Sequence, residues 1–239
     1  MNRAVTEDLL LGGRVRLRQP ARGYRVAVDA VLLAAAVPAR PGERVLDLGC
    51  GVGAVALCLA ARVADLHLTG VEVQPPLATL ARENADSNGL SDRFAVIEHD
   101  LARAWPGSFG TFDHIATNPP YLAAAVADPS PDPVKARATV ESTADLARWI
   151  ARAGEVLAPG GTLTVVHRSD RLGELEAALE AAGLQARASR LVEPSRRVLV
   201  RAARGAARRI VATPLSLQSA GGYTQEAEAI LRDAAALAF

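Results

Sequence analysis

The segment ATNPPYL, residues 116–122, places an amide, two prolines and an aromatic ring in succession. Adjacent prolines fix φ and remove two amide donors, so neither a helix nor a central strand continues through them. The corner is rigid. The amide oxygen of Asn118 and the carbonyl of Pro119 can each accept a hydrogen bond from an exocyclic NH2. Pro119 and Pro120 stiffen that pair of acceptors, and Tyr121 offers a ring face for a flat base. Acceptors on both protons of a planar amine bias its delocalised lone pair towards a pyramidal, more available form. This suits attack on an activated methyl group, where positioning and charge stabilisation do most of the catalysis and no Ser or Cys nucleophile is needed. Asn118, Pro119, Pro120 and Tyr121 are therefore the candidate catalytic residues.

A second constellation lies upstream. In LDLGCGVGA, residues 46–54, Gly49 and Gly51 allow a tight turn and close backbone approach to a ligand, with a helix N-terminus behind them. Glu72 follows 19 residues beyond Gly53, where a carboxylate can accept both hydroxyls of a ribose. The loop matches G-x-G-x-x-A and so fits a nicotinamide cofactor nearly as well as a methyl donor. Asp47 favours the methyl donor. A carboxylate there is unfavourable beside a pyrophosphate but useful beside the amino group and sulfonium of S-adenosylmethionine. Asp100, in IEHD, is placed to accept from an adenine amino group. The alternative for Asp47 and Asp100 is that they cap the helices that follow.

These residues need a frame that brings strand ends together. Strands are expected over 44–49, 66–73, 93–99 and 112–117, with helices over 54–63 and 76–88 closed by Gly89. A helix over 144–157, a Pro-Gly-Gly turn, a strand over 162–167 and a helix over 171–183 continue the alternation. That rhythm implies βαβ units and a doubly wound, mostly parallel sheet. It then breaks, because 184–192 and 196–204 read as two strands with no helix between them, an antiparallel hairpin at the sheet edge. A final helix is expected over 224–239. Before the first glycine loop, Leu9 to Gln19 alternate about a Gly-Gly break like one strand of an exposed hairpin, and Asp29 can cap a helix running to about Val37.

The 239 residues suffice for one α/β domain with a small appendage, divided as an N-terminal extension over 1–40 and a catalytic domain over 41–239. Half the residues are hydrophobic and 22% are charged, which argues against global disorder. A net charge of +1 excludes a strongly polyanion-seeking surface overall and leaves room for a local basic face. Cys50 and Cys58 lack a CxxC spacing or a His at ligand spacing, so neither zinc nor a disulfide framework is indicated. No metal is expected. The N-terminus lacks a signal-like pattern, and the longest apolar stretch, Ala27 to Val37, is short and interrupted by Asp29, so a cytoplasmic protein without a membrane span is expected.

DLGCGVG, Glu72, Asp100 and NPPY together resemble the class I, Rossmann-like S-adenosylmethionine-dependent methyltransferases that act on amino groups. Residues 23–35 (GYRVAVDAVLLAA), FDHIATNPPY, residues 196–205 (RRVLVRAARG) and residues 223–231 (YTQEAEAIL) are similar to the tRNA1(Val) adenosine-37 N6-methyltransferase family. The resemblance spans nearly the whole chain. It implies a seven-stranded sheet, S-adenosylmethionine as cofactor and tRNA as substrate. Asp47, Gly49, Gly51, Glu72, Asp100 and Asn118 would hold the cofactor, with Tyr24 and Asp29 over it from the N-terminal segment.

Arginines 187, 190, 196, 197, 201, 204, 208 and 209 stand against the single acid Glu193. Arg196, Arg197, Arg201 and Arg204 are candidates for gripping tRNA phosphates; the alternative is a solvated basic hairpin. Residues 122–142 form a long, proline-rich loop expected to close over substrate. Rival readings are methylation of another planar amine, either a protein glutamine amide, as in the release-factor methyltransferases, or guanine N2 in ribosomal RNA. The glutamine enzymes usually carry a longer helical domain before the glycine loop than the 46 residues preceding Asp47. A nicotinamide-dependent oxidoreductase lacks a Tyr-Lys or His pair here. A non-catalytic RNA-binding module would not need Asp47, Glu72 and Asn118 intact.

Overall fold

A computed structural model describes residues 4–22, 25–107, 109–120, 144–205 and 208–239. The chain opens with a hairpin, β1 (Val5–Leu10) and β2 (Val15–Pro20), followed by α1 (Val28–Ala36). The alternating frame comes next: β3 (Arg44–Leu48), α2 (Ala54–Arg62), β4 (His67–Glu72), α3 (Pro75–Ser87), β5 (Phe94–Glu98) and β6 (Phe112–Thr117). After residue 143 it continues with α4 (Leu146–Val156), β7 (Leu157–Arg168), α5 (Leu172–Ala181), β8 (Gln185–Glu193) and β9 (Arg197–Ala203). Four two-residue strands, β10 (Ile210–Val211), β11 (Leu215–Ser216), β12 (Gln218–Ser219) and β13 (Gly222–Tyr223), lead to α6 (Gln225–Arg232).

Seven long strands stand in the order β5-β4-β3-β6-β7-β9-β8, and β10 and β11 pair with β8 at its outer edge. All the β3–β7 pairings are parallel, while β9 runs antiparallel to both β7 and β8. The strand order reverses at β3 and β6, the switch point of a doubly wound sheet. Apolar faces pack on both sides. Leu33, Leu57 and Leu77 belong to one buried cluster, with α1, α2 and α3, whereas Ile150, Leu175 and Leu179 join the other with α4 and α5. The architecture is the Rossmann-like α/β fold.

Several expectations need correction. The hairpin is not merely exposed: Val15 and Leu17 are buried, and side-chain amides of α3 complete the free edge of β2. Asn84 accepts from Arg18 N at 2.8 Å and donates to Arg18 O and Val52 O at 2.9 Å, while Asn88 accepts from Arg16 N at 3.0 Å and donates to Arg16 O at 2.7 Å. Two asparagines at helical i,i+4 spacing thus imitate a neighbouring strand. Asn84 is fully buried, so Asn84→Ala should orphan three backbone groups and cost about 2–4 kcal/mol. Chemical denaturation measures the loss, and faster hydrogen exchange at Arg18 N locates it. An unchanged midpoint would remove the clamp from the account.

Asp29 does not cap α1. The residue at the cap is Ala27, and Asp29, in the first turn, pairs with Arg197 at 2.9 Å instead. The Pro-Gly-Gly turn lies within β7, where Leu157 pairs with Phe112 and Thr162 with His114, so the extra residues are absorbed as a bulge. The last helix ends at Arg232. Ala234 adopts φ +60°, and Leu237 N then donates to Ala35 O at 2.8 Å, carrying the apolar tail onto α1.

Candidate active site

The parallel strands β3, β4 and β6 are in register near their carboxyl ends, with Leu48 beside Val71 and Thr117. Their following loops therefore converge on one edge of the sheet. After β3 the chain turns so sharply that Gly49 N and Cys50 N both donate to Val71 O at 2.9 Å. Gly49 has φ +78°, and a Cβ there would lie 2.6 Å from the Trp149 ring. Glycine is required on both counts. Gly53 ends the loop at φ +86°, where a Cβ would meet the Phe94 ring at 2.9 Å.

Glu72, at the end of β4, is buried. Its Oε2 accepts from Gly51 N at 3.0 Å and its Oε1 from Gln74 N at 2.8 Å. The carboxylate keeps acceptor capacity for a ligand hydroxyl. Asp100 follows β5 and accepts from Ala102 N at 2.9 Å. Gly49, Glu72 and Asp100 line one cleft, joined by Val73, Leu101 and Trp149. Gly51 stands behind it as the donor to Glu72. Asp47 lies beneath the loop, 3% exposed, and accepts from Ala56 N at 3.2 Å in the first turn of α2. Asp47 thus touches the first turn of the helix that follows it, as its alternative reading has it, whereas Asp100 closes a local turn with no helix behind it to cap.

Asn118 follows Thr117 directly and is half-buried, with Pro119 and Pro120 buried beyond it. The Thr117 hydroxyl donates to Leu48 O at 2.8 Å and accepts from Trp149 Nε1 at 2.7 Å. The strand end carrying the corner is thereby bonded to the strand carrying the glycine loop. Tyr24, Tyr121 and the loop over 122–142 lie outside the described residues. Asp29 sits in α1, in its ion pair with Arg197.

Burial, with the charge of Glu72 nearby, pushes the Asp47 carboxyl up from 3.8 to about 7, and burial raises Glu72 too. The folded chain therefore keeps protons that the unfolded chain releases. The stability this contributes is fully present below pH 3.8 and is lost as pH rises through about 7. Urea unfolding of the cofactor-free protein at pH 5 to 8 should show this decline. Asp47→Asn, which keeps an oxygen for Ala56 N, should flatten it. A variant with the parent slope would clear Asp47 as the cause.

Acidic residues and no Lys or Arg line the described cleft. A dinucleotide pyrophosphate would meet two carboxylates there, whereas a cationic ligand with a ribose diol meets acceptors of the right charge. The residues present fit S-adenosylmethionine. Residues 25–182 match the methyltransferase small domain family.

The chain belongs to that family.

S-Adenosylmethionine is accordingly the methyl donor of this methyltransferase. The chain is similar to a tRNA1(Val) (adenine(37)-N6)-methyltransferase of Porphyromonas gingivalis, at 34% identity over 78% of this chain and 74% of the relative. It is also similar to a release factor glutamine methyltransferase of Deinococcus radiodurans, at 38% identity over 76% and 67% of the two chains. Among solved structures, a protein described as a predicted O-methyltransferase from Agrobacterium tumefaciens superposes with a TM-score of 0.69 and 26% identity, over 88% of this methyltransferase and 99% of that chain.

Sequence reasoning missed the walls of the cleft. Val73 and Leu101 each directly follow an acid of the cleft, a signal present in the dipeptides Glu-Val and Asp-Leu. Trp149 carries no such signal, because only the fold brings α4 beneath Gly49. The arginines of β8 and β9 turn largely inward. Arg197 pairs with Asp29. Arg201 donates to Ala36 O at 2.6 Å and lies 4.5 Å from the centre of the Phe239 ring. Arg204 donates to Gly154 O at 2.6 Å, and Arg190 pairs with Glu226 at 2.7 Å. Arg196, Arg204 and Arg208 are exposed.

Proposed function

We propose that this methyltransferase methylates the exocyclic N6 of an adenosine in tRNA. The observation that carries the reading is the placement of Asn118-Pro119-Pro120 beside the glycine loop, fastened through Thr117 to Leu48 O. Glu72 holds the ribose, and Asp100 accepts from the adenine amino group. Bound S-adenosylmethionine supplies an electrophilic methyl carbon. Asn118 Oδ1 and Pro119 O accept from the target NH2 and orient its lone pair, and Tyr121 stacks on the base. Arg196, Arg204 and Arg208 are the exposed members of the basic set available to phosphates. Among the described residues no helix is long and apolar enough to cross a membrane; a tRNA substrate would place the enzyme in the cytoplasm.

A second reading, methylation of a protein glutamine amide, is supported by the Deinococcus relative. A carboxamide presents the same planar NH2 to the same acceptors. Incubation with methyl-labelled S-adenosylmethionine and total tRNA from cells lacking the protein, followed by nucleoside mass spectrometry, separates the two. N6-methyladenosine is expected. Label in added release factor, with none in RNA, would replace adenosine by glutamine as the acceptor.

A further inference from the structure

Trp149 is the largest side chain in the cofactor cleft among the described residues, and its ring is held from two sides. Its Cζ2 would stand 2.6 Å from a Cβ on Gly49, so the benzenoid edge lies directly against the glycine loop. Its Nε1 donates to Thr117 Oγ1 at 2.7 Å, and Thr117 Oγ1 donates in turn to Leu48 O at 2.8 Å. Thr117 is fully buried. Its hydroxyl is thus committed as acceptor to the indole and as donor to the backbone, which leaves the ring one hydrogen-bonded orientation. The indole itself remains only half-buried, with Glu72, Val73 and Leu101 around the same cleft.

An aromatic ring so fixed, in one cleft with apolar side chains and the acidic acceptor Glu72, matches the nucleoside half of the methyl donor. We propose that Trp149 is a cofactor-binding residue whose indole forms the wall against which the adenosine moiety packs, and that Thr117 is a positioning residue that sets the angle of that ring. The inference rests on assigning the Gly49–Glu72–Asp100 cleft to S-adenosylmethionine.

The test is titration of the full-length protein with S-adenosylhomocysteine, followed by calorimetry and by tryptophan emission. Parent protein should bind and change its emission. Trp149→Phe, which keeps an aromatic ring and leaves Trp105 in place, should bind within about fivefold of the parent yet lose the emission change. Trp149→Ala should bind at least about thirtyfold more weakly. Thr117→Val should weaken binding about fivefold, and Thr117→Ser, which restores the hydroxyl, should recover it; this pair stays informative if Trp149→Ala does not fold. Trp149→Ala binding like the parent, or an emission change that survives in Trp149→Phe, would overturn the proposal. Glu72→Ala is the control on the cleft. If it too binds like the parent, the assignment of the cofactor site fails and the proposal falls with it, whereas a Glu72 loss with an indifferent Trp149 defeats the proposal alone.

Discussion

Replacing Asn118 by alanine should lower methyl transfer by about 10²–10³-fold, the range seen when one preorganised hydrogen-bonding group is removed from a reacting centre, while S-adenosylhomocysteine binding stays within about threefold. The corner explains the split. Asn118 is half-buried at the end of β6, but its backbone is held from both sides, by Thr117 bonded to Leu48 O and by the buried Pro119 and Pro120. Truncation therefore removes one acceptor without shifting the Pro119 carbonyl that supplies the other. The target amine then keeps its place and loses the polarisation of its lone pair, an effect on kcat at near-constant affinity for the cofactor. Asn118→Asp, which keeps an oxygen at the same position, should retain more activity than alanine. Single-turnover transfer with saturating cofactor measures the step directly. A near-parent rate in Asn118→Ala would sink the mechanism whatever the acceptor proves to be.

Much of the frame was legible because its causes are local. Strand β6 has the expected bounds, Phe112–Thr117, since an apolar run ends there against two prolines. Helix α3 begins at Pro75, where a missing amide donor costs nothing, and Gly89 follows it at φ +68°. Other features depend on partners distant in sequence. A carboxylate in a first turn resembles a cap until an arginine 168 positions away claims it, as Arg197 claims Asp29. The stretch after Arg232 has the composition of a helix, yet burying Leu237 against α1 wins over continuing it. The short strands β10 to β13 carry too few residues for any periodicity to register.

The same division runs through the site. Gly49, Glu72 and Asp100 were recognisable because strand, tight turn and acid recur at fixed spacing, and the cleft does gather them. The basic hairpin is less legible in composition. Arginine counts are compatible with a phosphate grip, but a guanidinium carries five donors and serves equally to close backbone carbonyls, as Arg201 does at Ala36 O and Arg204 at Gly154 O. Whether an arginine faces solvent is decided by tertiary packing, which the count of basic residues does not contain.

Glu72→Ala should fail in the opposite way to Asn118→Ala, with cofactor affinity reduced about a hundredfold, equivalent to about 2.7 kcal/mol. Two losses combine. The carboxylate braces the glycine loop by accepting from Gly51 N at 3.0 Å and the start of α3 by accepting from Gln74 N at 2.8 Å, and its removal leaves two buried amides without a partner. It also removes the acceptor for the ribose hydroxyls. Glu72→Gln separates these contributions, because a carboxamide keeps one oxygen for the loop but turns an NH2 towards the other amide donor. It should lie between alanine and the parent in calorimetric affinity for S-adenosylhomocysteine. Since neither loss touches the target amine, saturating S-adenosylmethionine should restore most of kcat in Glu72→Ala, where no concentration restores Asn118→Ala. The two sites act on successive requirements, filling the cleft and then polarising the acceptor, so the double variant should show the sum of both free-energy losses. A kcat deficit in Glu72→Ala that resists saturation would mean that the brace on Gly51 also sets the position of the corner, with Thr117 and the Leu48 carbonyl as the shortest route between them.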